Sequence, residues 1–188
     1  GVKKIIFAGY ATDPLNCDYI GELLDLTISN KAIFGFNTKA LKISDTFFNA
    51  LKNNKISDSS YISLSVDAGS NETYNLIHDV KAKKVKIYDQ VLKNAKKLGE
   101  IKKENYFDLS AAYLVNINSA NVNDYENFIN DFMGAGCNVL RFSFPQPPKD
   151  IKTEKGVVPT QEEIDFYISD LNKLKKKYEN DKCLIIIT

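Results

Sequence analysis

Six short apolar runs recur along the 188-residue chain, separated by stretches of helical periodicity, and this alternation limits the fold more than any other feature. The runs cover 4–8, 32–37, 61–66, 107–117, 138–144 and 183–188. A run such as Cys183-Leu184-Ile185-Ile186-Ile187 is apolar at consecutive positions, so both of its faces must be covered, and parallel strands joined by helices provide that cover. Between the runs, Ile20, Leu23, Leu24 and Thr27 share one helical face, and Phe47, Phe48 and Leu51 share another. A third helical region, interrupted near 80–85, spans 71–80 and 85–98, with Ser70 or Asn71 as its cap. Asn123-Asp124-Tyr125-Glu126 reads as a capping box opening a helix that buries Phe128, Ile129 and Phe132 and ends at Gly134 or Gly136. Thr160-Gln161-Glu162-Glu163 reads as a second box, opening a helix through Ile164, Ile168, Leu171, Leu174 and Tyr178. Strict alternation implies an α/β fold of six parallel strands and five helices with right-handed crossovers. Periodicity alone admits both an open doubly wound sheet and a barrel or partial barrel.

Composition narrows the partners. With 44% hydrophobic residues the chain can bury one core, so 1–188 is read as a single domain. The 25 Lys+Arg offset 24 Asp+Glu, which leaves no global field to draw in nucleic acid or an anionic membrane surface. The lysines at 173–177 fall in the last turns of a helix, where cations suit the helix dipole and a solvated face. No stretch reaches the roughly 18 apolar residues that span a bilayer. The first apolar run is too short for a secretory signal. Cys17, Cys137 and Cys183 are far apart and form no zinc, redox or iron-sulfur motif. An odd cysteine count without a disulfide framework points to a reducing, cytoplasmic setting. Both apolar end runs lie almost at the termini, so the chain is expected to be a piece of a longer protein. Four of the five prolines fall within 144–159, which is expected to be a long loop acting as a lid, a substrate wall or a spacer.

In a parallel α/β fold, chemistry belongs at the C-terminal ends of the strands. The first run is followed by Gly9-Tyr10-Ala11-Thr12-Asp13-Pro14, a small loop able to present backbone N–H and C=O groups to an ammonium or a carboxylate. Asn37-Thr38-Lys39 follows the second run. Ser63, Ser65 and Asp67 lie on one face of the third, where apolar residues would normally sit. They are read either as a closed hydrogen-bond network or as ligand contacts. Asn116 and Asn118 end the fourth run. Arg141, the sole arginine, lies on the fifth, where it needs an anionic partner from a ligand or from a protein carboxylate. His78 is the only histidine; without a cysteine or carboxylate cluster it reads as structural. Tyr10 reads as core.

These strand ends resemble those of radical S-adenosylmethionine (radical SAM) enzymes. The segment Ile62-Ser63-Leu64-Ser65-Val66-Asp67-Ala68-Gly69-Ser70-Asn71-Glu72-Thr73-Tyr74-Asn75-Leu76-Ile77-His78 resembles the family's fourth strand, with Tyr88-Asp89-Gln90-Val91-Leu92-Lys93-Asn94 in the helix that follows. Ile5-Ile6-Phe7-Ala8-Gly9 followed by Thr12-Asp13-Pro14-Leu15 resembles the Gly-Gly-Glu-Pro loop after the second strand. Phe36-Asn37-Thr38-Lys39 resembles the Thr-Asn-Gly turn after the third, and Ala135-Gly136-Cys137-Asn138-Val139-Leu140-Arg141-Phe142-Ser143 resembles the sixth strand. The resemblance spans almost the whole chain, from the family's second strand onward.

What the resemblance implies is a TIM-like partial (βα) barrel of about six parallel strands with helices outside. It implies an S-adenosylmethionine cofactor, bound to a [4Fe-4S] cluster and cleaved reductively to methionine and a 5′-deoxyadenosyl radical that abstracts a hydrogen from a small-molecule or peptide substrate. An electron donor such as flavodoxin or ferredoxin would serve the full enzyme. Carried over by position, the backbone of Gly9, Tyr10, Ala11, Thr12 and Asp13 would meet the methionine amino group. Asn37 belongs to the same site, Ser63, Ser65 and Asp67 would lie near the ribose, Asn116 and Asn118 near the ribose or carboxylate, and Arg141 near the adenine or carboxylate. Thr12-Asp13 stands where the family has Gly-Glu, so a ligand role of the shorter Asp13 side chain is in doubt while a backbone role survives. The family's Cys-x-x-x-Cys-x-x-Cys loop is absent, so the chain alone is expected to be inactive, with the cluster ligands upstream. The alternatives are a non-catalytic binding or scaffolding barrel that has lost the cluster, and a different (βα) protein with the same pattern. An isolated partial barrel with an apolar first strand is also expected to self-associate.

Overall fold

A computed structural model of the chain describes residues 1–9, 12–81, 85–115, 121–145 and 160–188. Its elements in chain order are β1 (Lys4–Ala8), α1 (Ile20–Ser29), β2 (Ile33–Thr38), α2 (Asp45–Asn53), β3 (Tyr61–Ser65), α3 (Asn71–Ile77), α4 (Ile87–Glu104), β4 (Asp108–Leu114), α5 (Tyr125–Gly134), β5 (Val139–Ser143), α6 (Gln161–Tyr178) and β6 (Leu184–Ile187). The expected runs recur within a residue or two, except that the fourth strand ends at Leu114. The interrupted third helical region is two helices, α3 and α4.

The strands form one sheet in the order β1-β2-β3-β4-β5-β6, parallel at every step. That order decides what periodicity left open. A doubly wound sheet reverses its strand order at a switch point so that helices cover both faces. Strictly sequential order with crossovers of one hand puts all the helices on one face, and the sheet twists into a partial barrel. Among the described residues no ladder joins β1 to β6.

The covered face is the core. Phe34, Phe36, Ile62, Leu64, Leu109, Tyr113, Leu140, Phe142 and Ile185 are buried on it at alternate positions. From the helices come Leu24, Phe47, Leu51, Val91, Leu98, Phe128, Phe132 and Leu171. Aromatic rings join the two layers: Phe36 stacks on Phe7 with centroids 4.5 Å apart and meets the Phe47 edge at 5.0 Å, while Tyr113 meets Phe128 at 4.9 Å. Register gives the opposite, concave face a different character. One row across it reads Ala8, Asn37, Ser63, Ser110, Val139, Leu184, and the next reads Ser65, Ala112, Arg141, Ile186.

Helix starts follow the sequence in part. Ser44 and Ser70 accept from the backbone N–H three residues on, and Thr160 with Glu163 forms a reciprocal capping box. The box expected at 123–126 does not form: Asp124 is the N-cap of α5 but makes no cap bond, because its carboxylate instead accepts from Gly69 N at 3.1 Å and Ser70 Oγ at 3.0 Å. The lysines of the α6 end are paired at the surface, Lys173 with Asp170, Lys175 with Glu179 and Lys177 with Glu126. Among the described residues no helix is long and apolar enough to cross a membrane.

Two helical glycines separate backbone entropy from packing. Ala is the better helix former by about 1 kcal/mol. At Gly134, the last residue of α5, an added Cβ meets nothing, whereas at Gly99 in α4 it would overlap the Ala135 carbonyl oxygen where α4 crosses the end of α5. Gly134→Ala is therefore expected to be neutral or stabilising by up to about 1 kcal/mol, and Gly99→Ala to be destabilising by about 1–3 kcal/mol. Urea unfolding midpoints of the two variants check this, and equal shifts would contradict the close approach of α4 and α5.

Candidate functional site

The loop after β1 is fastened to the end of β2 by one carboxylate. Asp13 accepts from Leu15 N (3.0 Å), from Thr38 Oγ1 (2.7 and 2.9 Å to its two oxygens) and from Lys39 N (2.6 Å). The side chain thus holds the loop in shape, in keeping with the doubt about a ligand role. Gly9 lies so close to the Thr12 carbonyl that any Cβ would overlap it, and Asn16 Nδ2 donates to Thr12 Oγ1 at 3.0 Å. Between this loop and the ends of β2 and β3 lies a cleft of about 520 Å³, lined by Ala8, Gly9, Thr12, Asn37, Lys39 and Ser65 among others. Tyr10, Ala11, Asn116 and Asn118 lie outside the described residues, as does most of the proline-rich segment.

The third strand divides the two readings of Ser63, Ser65 and Asp67. Asp67 is part of a hydrogen-bond network: its backbone sits at φ 60°, its Oδ1 accepts from Leu114 N at 2.7 Å, and its carbonyl accepts from Asn121 Nδ2 at 3.0 Å. It therefore fastens the end of β3 to the end of β4. Burial pushes its pKa above the ordinary carboxyl value; the Leu114 bond and the charges of His78 and Lys39 oppose that shift. Ser63 and Ser65 behave differently. Their half-buried hydroxyls face the concave side and make no hydrogen bond among the described residues.

Arg141 is exposed on that same face rather than buried, and among the described residues no carboxylate pairs with it. A protein counter-ion, one of the two partners considered for it, is not found among the described residues. His78 is structural as expected: its ring lies 4.3 Å from that of Tyr74 and its Nε2 is 3.4 Å from the Val66 carbonyl oxygen, with its pKa lowered chiefly by burial. Two residues escaped the sequence reading. Asn121, fully buried, donates to both the Asp67 and the Leu114 carbonyls, and nothing in an Asn-rich segment marks it out. Lys39 lines the cleft and was legible only as the cation closing Asn37-Thr38-Lys39.

The cysteines do not converge. Cys17 is exposed, while Cys137 and Cys183 are buried near the N-terminal ends of β5 and β6, where burial raises both thiols, Cys183 to about 11. Among the described residues no three His, Cys, Asp or Glu side chains are grouped to hold a metal. A larger cleft of about 730 Å³, lined by Lys102, Tyr106, Asn138 and Cys183 among others, opens at this same end. It lies away from the strand ends that carry chemistry in parallel α/β folds, so the smaller cleft is the candidate site.

No family model matches the sequence, and no curated protein is similar to it at a significant level. Solved structures do share its fold. SuiB from Streptococcus suis superposes with a TM-score of 0.68 at 11% identity, covering 98% of this chain and 38% of SuiB. SuiB bound to S-adenosylmethionine and SuiB bound to the precursor peptide SuiA give 0.67 and 0.64. The protein anSMEcpe with bound AdoMet gives 0.63 at 15% identity, with 97% of this chain and 50% of anSMEcpe covered. A radical SAM methyltransferase from Sphaerobacter thermophilus gives 0.57 at 10% identity, with 99% and 50% covered. This chain therefore spans about two fifths to half the length of the structures it matches. The chain shares the partial-barrel fold of these structures, a radical SAM methyltransferase among them.

The raised pKa of Asp67 makes a stability prediction. A carboxyl that is easier to protonate in the folded state contributes most below its ordinary value of 3.8, and that contribution is lost as pH rises through the folded-state value. Asp67→Asn keeps a carbonyl oxygen for Leu114 N and removes the ionisation. Its stability relative to the parent chain is expected to increase between about pH 4 and about pH 7. Urea midpoints at the two pH values test this; a pH-independent difference would refute it.

Proposed function

Starting from the fold of radical SAM enzymes, we propose that this chain is an S-adenosylmethionine-binding core. The observation that carries the reading is the polar surface at the cleft: the exposed Asn37 side chain and the hydroxyls of Ser63 and Ser65, which have no partner among the described residues, beside the small Ala8, Ser110 and Ala112 on the same sheet face. Polar groups held at strand ends without protein partners suit a ligand rich in hydroxyl, amino and carboxylate groups. SuiB and anSMEcpe, which share the fold, have structures with this cofactor bound.

The loop Gly9-Tyr10-Ala11-Thr12-Asp13 is assigned the methionine amino group through its backbone, with Asp13 keeping the loop in shape. Asn37 borders the same end of the cleft. Ser63 and Ser65 are assigned the ribose, and Asp67 supports them from the joint between β3 and β4. Asn116 and Asn118 are assigned the ribose or carboxylate, and Arg141 the adenine or carboxylate. When bound and reductively cleaved, the cofactor supplies methionine and the 5′-deoxyadenosyl species that takes a hydrogen from substrate. That cleavage depends on a [4Fe-4S] cluster, and the described residues do not fit one, so no redox step is assigned to them. The ligands and an electron donor of the flavodoxin or ferredoxin type belong to a larger protein in this reading. A peptide is the favoured substrate class, on the strength of the SuiB complex with the precursor peptide SuiA.

Calorimetry tests the binding step. S-adenosylmethionine is expected to bind the chain without added iron. Ser65→Ala, removing one hydrogen-bonding hydroxyl, is expected to weaken binding about 3- to 10-fold. Lys182→Ala, in the larger cleft at the far end of the sheet, is expected to leave it unchanged. Equal effects of the two changes, or no binding by the unsubstituted chain, would refute the reading.

A further inference from the structure

We propose that Lys175 and Glu179 form a clasp that closes the outer edge of β6 against the edge strand of a second copy of this chain. The ladder to β5 sets which groups that edge presents. Leu184 N and Thr188 N donate to the Asn138 and Phe142 carbonyls, so alternate residues of β6 face β5, and the N–H and C=O of Ile185 and Ile187 face outward. At Ile185 both outward groups are taken by side chains of α6. Its N–H donates to Glu179 Oε1 at 3.1 Å, and its carbonyl accepts from Lys175 Nζ at 2.7 Å. The two side chains also pair with each other, Nζ to Oε2 at 3.4 Å. A carboxylate and an ammonium thus take the places that the C=O and N–H of a further strand would fill. At Ile187 the outward groups meet no partner among the described residues.

The helix itself does not account for the pair. Glu179 is the C-cap of α6, where the helix dipole disfavours an anion, and a Lys four residues before a Glu is the weaker order for a helical ion pair. The Lys175 and Glu179 side chains are 35% and 27% exposed, whereas those of the other four ion pairs among the described residues are 47% to 78% exposed. What the arrangement achieves is at β6. An edge strand with bare N–H and C=O groups is a template for pairing with another chain, and charged side chains blunt it. The run Leu184-Ile185-Ile186-Ile187 is uncharged and apolar throughout, the type of edge for which such pairing is most favourable. The other edge strand lacks this device. Ile33 N donates to Lys3 O, so Lys4, Ile6 and Ala8 turn their backbone groups outward from β1, and no side chain among the described residues bonds to them. Pairing of copies is therefore blocked on the β6 side and left open on the β1 side.

Amide exchange and sedimentation equilibrium on the full chain test the clasp. In the unsubstituted chain the Ile185 amide is expected to exchange about tenfold or more slowly than that of Ile187, since its hydrogen bond is to a charged group. Lys175→Ala/Glu179→Ala is expected to remove that difference and to tighten self-association by about tenfold, the two uncovered groups being free to pair. Asp170→Ala/Lys173→Ala removes an ion pair of the same helix and is expected to leave both readings unchanged. Lys175→Met uncovers the carbonyl alone and repeats the comparison if the double variant does not fold, with a smaller rise in association expected. Equal exchange at Ile185 and Ile187 in the unsubstituted chain would overturn the clasp. Faster exchange in the variants without tighter association would overturn it too, leaving the pair as a support of β6 with no part in excluding a second copy.

Discussion

Cover on one side only is the constraint from which the rest of this structure follows. With six parallel strands in sequential order, the described helices pack on one face of the sheet and bury Phe34, Phe36, Leu64, Tyr113 and Phe142 there. Among the described residues the other face receives no helix and is released from the need to be apolar. Ala8, Asn37, Ser63, Ser65 and Ser110 occupy it, small or polar residues that would be costly in a sheet covered on both faces. The cleft is thus a direct product of topology: a concave, polar surface on a scaffold whose rigidity comes from an aromatic core behind it.

At the rim of that surface the anionic and cationic side chains have separate roles. Asp13 and Asp67 tie strand end to strand end, the first joining the β1 loop to β2 and the second joining β3 to β4. Lys39 and Arg141 make no such ties among the described residues and face the open side. Carboxylates used as fasteners and cations left without partners among the described residues put local positive charge on this side, although the chain as a whole carries a formal net charge of only +1. The zwitterion proposed as ligand calls for such a local arrangement and no global field.

Much of the fold was legible along the chain. All six strands and the caps at Ser70 and Thr160 follow from patterns within a few residues, because burial period and capping chemistry are local. The capping box at 123–126 was misread for a tertiary reason: the Asp124 carboxylate is drawn to Gly69 and Ser70, more than fifty residues away in sequence. The site was legible as a set of strand ends, but not in the division of labour within it. Ser63, Ser65 and Asp67 look equivalent in a pattern of alternate polar residues. Only the left-handed backbone at Asp67 and the position of Leu114 N separate the fastener from the two free hydroxyls.

The sequence by itself determined the alternation of strands and helices, the polar character of the strand ends and the resemblance to radical SAM enzymes, since each is carried by residue types at short spacing. Tertiary structure alone decided three matters: that the sheet is sequential and covered by the described helices on one face, that Arg141 is exposed on the concave side, and that Lys39 lines the cleft. These depend on which strands become neighbours. A parallel pairing is made through a crossover of a dozen or more residues, so its consequences for a side chain cannot be read from the residues beside it.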